Sequence, residues 1–331
     1  MFKKRTAFIL GAGASYPYGY PTGKQLIKGI IKAINSDAIH LSSSSFDFKA
    51  VDKFEDLKNR LIEHDPLSID TFLHDNPSYA EVGNIMTAYV LLKCEDKALL
   101  GHMCYDNWYS CLFNELTSEI EDDAVDAILA NQCHFITFNY DVSLDFYLFN
   151  RLNMTERFKQ GDLPRKFLTN KNPRIIHVYG QIHEPSSLEH YGNYTQNTPE
   201  DNRKRFMAAI ENSQDKENGI RTISEARSRN KRIVEIIKQA EELIIIGFGF
   251  DRTNLDILGF PRDENAYLDA EPKFFANKTI KWLNFEAGMQ NTQRKLENLG
   301  KYKSKDSPEI IISTAESISL AYQNNFKTTL Y

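Results

Sequence analysis

A short apolar run, Ala7-Phe8-Ile9-Leu10, breaks directly into Gly11-Ala12-Gly13-Ala14-Ser15. This junction narrows the possible architectures more than any other stretch. An apolar run of this length bounded by glycine reads as a strand buried on both faces, as in parallel sheets covered by helices. The turn behind it has the form of a phosphate-binding first βα connection. Gly11 permits the tight turn, and Gly13 keeps a side chain away from the backbone amides. The third glycine of the dinucleotide fingerprint is missing, with Tyr16 in its place. A lone Gly-x-Gly also occurs in plain tight connections, so the rest of the chain decides its meaning.

The same strand-then-turn pattern recurs. Cys133–Phe138, Arg174–Val178, Glu242–Gly247 and Thr279–Phe285 read as further core strands, and Glu309–Ser313 as a sixth. Most run into glycine, a small residue or Asn/Asp, and then into helical spacing. This alternation predicts an α/β, Rossmann-like, doubly wound parallel sheet, with its ligand crevice beyond the carboxyl ends of the strands. Between the first two strands, helical spacing appears over Gly23–Asn35, Ala50–His64, Tyr79–Lys93, Cys104–Glu119 and Asp122–Asn131, interrupted by a polar loop at Ser42–Ser45. Ser68 reads as the N-cap of a short helix through Leu73. The expected organisation is one domain over 1–331, with a core of 1–23 plus 132–331 and a helical insertion over about 24–131. Residues 185–205 read as a polar, mobile crossing.

Composition excludes several classes. The 331 residues are 41% hydrophobic and 26% charged, with a formal net charge of −5, so bulk electrostatics give no footprint for nucleic acid or an anionic membrane. The basic cluster Arg227, Arg229, Lys231 and Arg232 reads as a solvated helix face. No apolar run reaches the ~18 residues of a membrane span. Lys3-Lys4-Arg5 followed by AFIL is too short in its apolar part for a signal peptide. Cys94, Cys104, Cys111 and Cys133 include no CxxC pair, which argues against structural zinc and fits reduced thiols in a cytoplasmic protein.

Several polar groups fall at predicted strand ends. Asn139 and Asp141 close the second strand in Thr137-Phe138-Asn139-Tyr140-Asp141 and can both reach the crevice, although Asp141 also suits a helix N-cap and Asn139 a loop bond. The third strand carries His177, with His183 beyond it, and a strand histidine is often just a satisfied core residue. The fourth runs into a second glycine turn, Gly247-Phe248-Gly249-Phe250-Asp251, followed by Asn254. The fifth ends at Asn284, placed to meet a ribose hydroxyl.

Taken in order, GAGAS, PTG, TFNYD, HVYG, GFGF and LN resemble the sirtuin fold, most closely the sirtuin-like NADase domains of bacterial anti-phage defence systems. The resemblance covers most of the chain and is weakest in the helical insertion. It implies that Gly11, Ala12, Gly13 and Ser15 hold the NAD diphosphate, with Thr22 of the PTG motif in the same binding site. It also implies that Asn139 and Asp141 line the nicotinamide-ribose pocket, and that Gly247, Gly249 and Asn284 serve the adenosine side. Two departures matter. Deacylase sirtuins carry a four-cysteine zinc ribbon that this chain cannot build. The family's HG or HxHG motif reads His177-Val178-Tyr179-Gly180, so Tyr179 stands where the usual histidine would be. If strand alternation holds, His177 and Tyr179 face the same way and His177 addresses the crevice.

The resemblance therefore implies NAD+ hydrolysis to nicotinamide and ADP-ribose, with NAD as substrate, no cofactor and no zinc. Asn139 and Asp141 would form the polar wall. His177, with an ordinary pKa of ~6.5, would be the base. The alternatives are an NAD- or ADP-ribose-binding regulatory module and, third, a deacylase or ADP-ribosyltransferase. An enzyme that empties a cell of NAD must rest inactive. The expected trigger is self-assembly or a separate defence subunit, such as a HerA-like ATPase or an Argonaute. Tyr105, Trp108 and Tyr109 are open either to such an interface or to core packing.

Overall fold

A computed structural model describes residues 1–38, 48–101, 107–122, 124–169, 174–193, 198–228, 230–260, 278–284 and 309–314. Six strands form one parallel sheet in the order β3-β2-β1-β4-β5-β6: β1 Thr6–Leu10, β2 Cys133–Thr137, β3 Ile175–His177, β4 Glu242–Ile246, β5 Thr279–Asn284 and β6 Glu309–Thr314. β1 pairs with β2 on one side and β4 on the other, so Phe8 lies between Phe135 and Ile244. All five residues of β1 and all five of β4 are buried. This explains why neither strand alternates in polarity. The chain leaves β1 toward β2 on one side and later returns to place β4 on the other. The sheet direction reverses there, which puts the topological switch point at the β1–β4 boundary.

Helices fill the interval between β1 and β2. Gly23–Ala33 continues into a wide turn at Ile34–Ala38, and Phe48–His64, Ile69–Asp75, Ala80–Leu92 and Trp108–Thr117 follow. Ser68 caps the third of these helices by accepting the Asp70 amide at 3.1 Å. Ala80–Leu92 is buried over most of its circumference; its Tyr89 meets Phe206 edge to face, and Phe206 packs at a tilt on Phe54. Helix Trp108–Thr117 is tied to the first glycine turn, because Trp108 Nε1 donates to the Ala14 carbonyl at 2.8 Å. Tyr109 stacks on Tyr18 at 3.9 Å between ring centroids. Trp108 and Tyr109 are therefore core residues. Tyr105 lies outside the described residues, as do Cys104, Arg229 and the polar loop Ser42–Ser45.

Three expectations need correction. Asp122–Asn131 contains a 3₁₀ turn, Val125–Ala130, rather than an α-helix. The third strand is only three residues long and stops at His177. The polar crossing at 185–205 holds a 3₁₀ turn, Pro185–His190, and the start of helix Pro199–Gln214, whose N-cap Thr198 accepts the Asp201 amide. Low hydropathy concealed that helix because much of its surface faces water. Its buried side carries Arg205, Phe206, Ala209 and Ile210. No helix among the described residues is long and apolar enough to cross a membrane.

Candidate functional site

The carboxyl ends of β1 and β4 meet through their glycine turns. Gly11 N donates to Ile246 O and Gly13 N to Gly247 O, both at 3.0 Å. A Cβ on Gly13 would lie 2.7 Å from the Gly247 Cα, and one on Gly247 would lie 2.3 Å from Gly13 C. Gly247 also sits at φ +58°, which side chains resist. The glycines thus permit close contact between the two turns, and the amides of Gly11 and Gly13 are spent on the last residue of β4 and on Gly247 just after it. Gly249 faces open space. Of the first turn, Ala12 and Ser15 border the adjoining cavity.

β2 delivers the next groups. Asn139 sits just past its end, half-buried, and its Nδ2 donates to Gly11 O at 3.0 Å and Ser15 Oγ at 3.3 Å. The side chain is thereby locked against the first turn, with its amide oxygen directed away from those bonds. Asp141 is buried and accepts from the Ser143 amide at 3.1 Å and from the Ser143 hydroxyl. That hydroxyl also bonds the Tyr109 phenol at 2.7 Å. Burial raises the Asp141 pKa, and the hydrogen bonds from Ser143 and Ser15 oppose the shift.

At the end of β3 the structure departs from expectation. His177 does not address the crevice. Its Nδ1 bonds the Asn139 carbonyl and its Nε2 the Asp145 carboxylate, each at 3.1 Å, so both ring nitrogens are engaged inside the protein. Burial, the largest single influence, acts to lower its pKa, but the Asp145 carboxylate, the Asn139 carbonyl and the Asp141 charge together outweigh it and the net shift is upward. Alternation fails to align His177 with Tyr179 because the strand ends at His177 and Tyr179 belongs to the following turn. The Tyr179 phenol is buried and donates to Asn254 Oδ1 on helix Arg252–Ile257. His183 pairs with buried Glu95 at 2.7 Å, and Glu95 also accepts the Gly192 amide.

One cavity of about 70 Å³ gathers the groups at this end of the sheet. Ala12, Ser15, Asn139 and Asp141 border it together with Tyr20, Tyr140 and Asp70. Asp70 is the residue that sequence reasoning passed over. It opens helix Ile69–Asp75, where its position explained it fully as part of a cap. Its Oδ1 accepts from the Tyr140 hydroxyl, and its Oδ2 accepts from Ser68 Oγ at 2.9 Å. Burial raises its pKa to about 6, with Ser68 pulling the other way and the Asp251 charge adding to the rise. Its only sequence signal is its place in Ser68-Ile69-Asp70, too common a cap pattern to mark a site.

Thr22 is not among the residues that border this cavity. Thr22 caps helix Gly23–Ala33 in a reciprocal box with Gln25, its amide donating to Gln25 Oε1 at 2.9 Å. Asn284 is the last residue of β5, in register with Thr314, and its side chain is outside the described residues. Among the described residues no group of three or more His, Cys, Asp or Glu is arranged to hold a metal ion. No known protein-family model matches the chain, and no curated protein is a significant sequence match.

Proposed function

We propose that the chain binds NAD+ in the crevice at the β1–β4 boundary and hydrolyses its nicotinamide–ribose bond to give nicotinamide and ADP-ribose. The observation that carries this reading is that Ala12, Ser15, Asn139 and Asp141, brought from two separate strand ends, border one cavity. Cleavage of this bond passes through an oxocarbenium-like state, and the nicotinamide leaving group is already cationic, so no strong acid is needed. The chemistry calls for a fixed polar wall and a held water. Asn139, anchored through its Nδ2, leaves its amide oxygen for a water or a ribose hydroxyl. The Asp141 carboxylate supplies negative charge beside the developing cation.

A cavity of about 70 Å³ admits water and a reacting group. It is far below the roughly 300–1,000 Å³ of ordinary ligand pockets, so the dinucleotide needs its walls to part. That fits an enzyme at rest, switched on by self-assembly or by a separate defence subunit to deplete NAD in an infected cell. The test is nicotinamide release by wild type and by Asn139→Ala after activation. The expected loss is about 10² to 10³-fold, and equal rates would remove Asn139 from the reaction.

A second reading has its own support. With Tyr179 bonded to Asn254 and both His177 nitrogens engaged, no histidine stands ready as a base at the end of β3. A chain that binds NAD or ADP-ribose and signals without cleaving it would look the same there. Calorimetry with NAD, run beside the nicotinamide assay, separates the two. Tight binding with no product, even in the presence of the partner, is the result expected of the binding module.

A further inference from the structure

Resting on the NAD-cleaving reading, we propose that Asp70, supplied by the helical segment between β1 and β2, is the proton acceptor of this site, held in place by Tyr140. The carboxylate borders the same cavity as Ser15, Asn139 and Asp141. Each of its oxygens takes one hydroxyl, Tyr140 on one side and Ser68 on the other, which fixes its plane. A carboxylate oxygen has room for a further donor, and a water in the cavity can provide it. Asp141 is less suited, because the Ser143 amide and hydroxyl both converge on its Oδ1 in a buried position. His183 is tied to Glu95, and His177 to Asp145 and the Asn139 carbonyl.

The step balances without another reagent. The bond from ribose C1′ to the pyridinium nitrogen breaks, and its electron pair neutralises the nicotinamide ring. Water oxygen forms the new bond to C1′, and its proton passes to Asp70, which later releases it to solvent.

Because burial raises the Asp70 pKa to about 6, the group is basic enough to accept a proton yet largely ionised near pH 7. The groups that face it are few. Tyr140 and Ser68 bond it directly, Asp251 from the turn after β4 raises its pKa further, and its charge is felt at the Tyr179 phenol. Of the elements packed on Ile69–Asp75, Gly23–Ala33 pairs its Lys24 with Asp65, and Ala80–Leu92 carries Glu81 in its first turn. The 3₁₀ turn Pro77–Tyr79 donates its Tyr79 hydroxyl to Asp56, and Ile223–Ser228 engages Glu225 with Thr222 and Arg227 with Asp256.

The experiment compares the activated 331-residue wild type, Asp70→Asn and Asp70→Ala by nicotinamide release at saturating NAD, with NAD affinity measured by calorimetry. Asp70→Asn should lower kcat at least ~100-fold while affinity stays within a few-fold. Added formate should restore part of the rate to Asp70→Ala. Wild-type kcat should rise with pH through about 6 and level off above it, and Asp70→Asn should lose that limb. An Asp70→Asn enzyme that keeps its rate and pH limb, while Asn139→Ala fails, overturns the role of Asp70 and leaves NAD cleavage standing. A wild-type chain that binds NAD and releases no nicotinamide, even when assembled or joined by its activating subunit, overturns both.

Discussion

The glycines of the two turns show how one residue type answers to different demands. Gly247 combines a positive φ with a backbone approach that no side chain tolerates, whereas Gly249, two residues on, has open space around its Cα. Gly247→Ala should therefore destabilise the fold by roughly 2 kcal/mol or more, and Gly249→Ala should be near neutral. Chemical denaturation of the two variants checks the contrast, and equal effects would contradict the packing of the turns. Asp70 carries a linked cost. A carboxyl whose folded pKa is raised contributes stability while protonated, below about pH 4, and loses it as pH rises through about 6. Asp70→Asn should raise the melting temperature at pH 7.5 by a few degrees and leave it unchanged near pH 4. A stabilising substitution that removes activity is the pattern expected of a catalytic group held under strain.

At the scale of elements, Trp108 ties the helical segment between β1 and β2 to the first glycine turn. Its Nε1 satisfies the Ala14 carbonyl from a fully buried position. Trp108→Phe keeps most of the apolar area but leaves that carbonyl without the indole N–H. It should cost about 1–3 kcal/mol and weaken NAD binding, because the first turn loses its brace. Calorimetry and urea unfolding on the same variant test both effects. The His177–Asp145 pair braces β3 against helix Ser143–Met154. Its histidine has a raised folded pKa, so its stabilisation is complete below about pH 6.5 and fades as pH climbs through the higher folded value. A His177→Gln variant should flatten the pH dependence of stability in that window. An unchanged profile would mean that the ring does not titrate with folding. The helical pattern itself was legible where an apolar face alternates with water, as over Gly23–Ala33. It failed at Val125–Ala130, where local spacing could not distinguish a 3₁₀ turn from an α-helix.

The whole molecule adds the matter of access. The groups proposed for chemistry surround a space of about 70 Å³, and under the NAD-cleaving reading the dinucleotide must open it. On the self-assembly route, specific activity of the purified chain should climb steeply with protein concentration. A flat response would favour a separate activating subunit. Sequence alone determined the strands, their parallel pairing and the crevice, because strongly apolar five-residue runs between helical segments have few other ways to be buried. It also determined that Asn139 and Asp141 would stand at that crevice, since both follow directly from the end of β2. Tertiary structure decided which groups meet there. It turned His177 inward onto Asp145, 32 positions earlier, and used the first glycine turn to seat the fourth strand. It also carried Asp70 from an ordinary helix cap to the wall of the cavity, where it meets Tyr140, 70 positions away. Hydrophobic periodicity reports which face of an element is buried. It carries no information on which distant polar group will share that burial, because that depends on contacts between elements far apart in the chain.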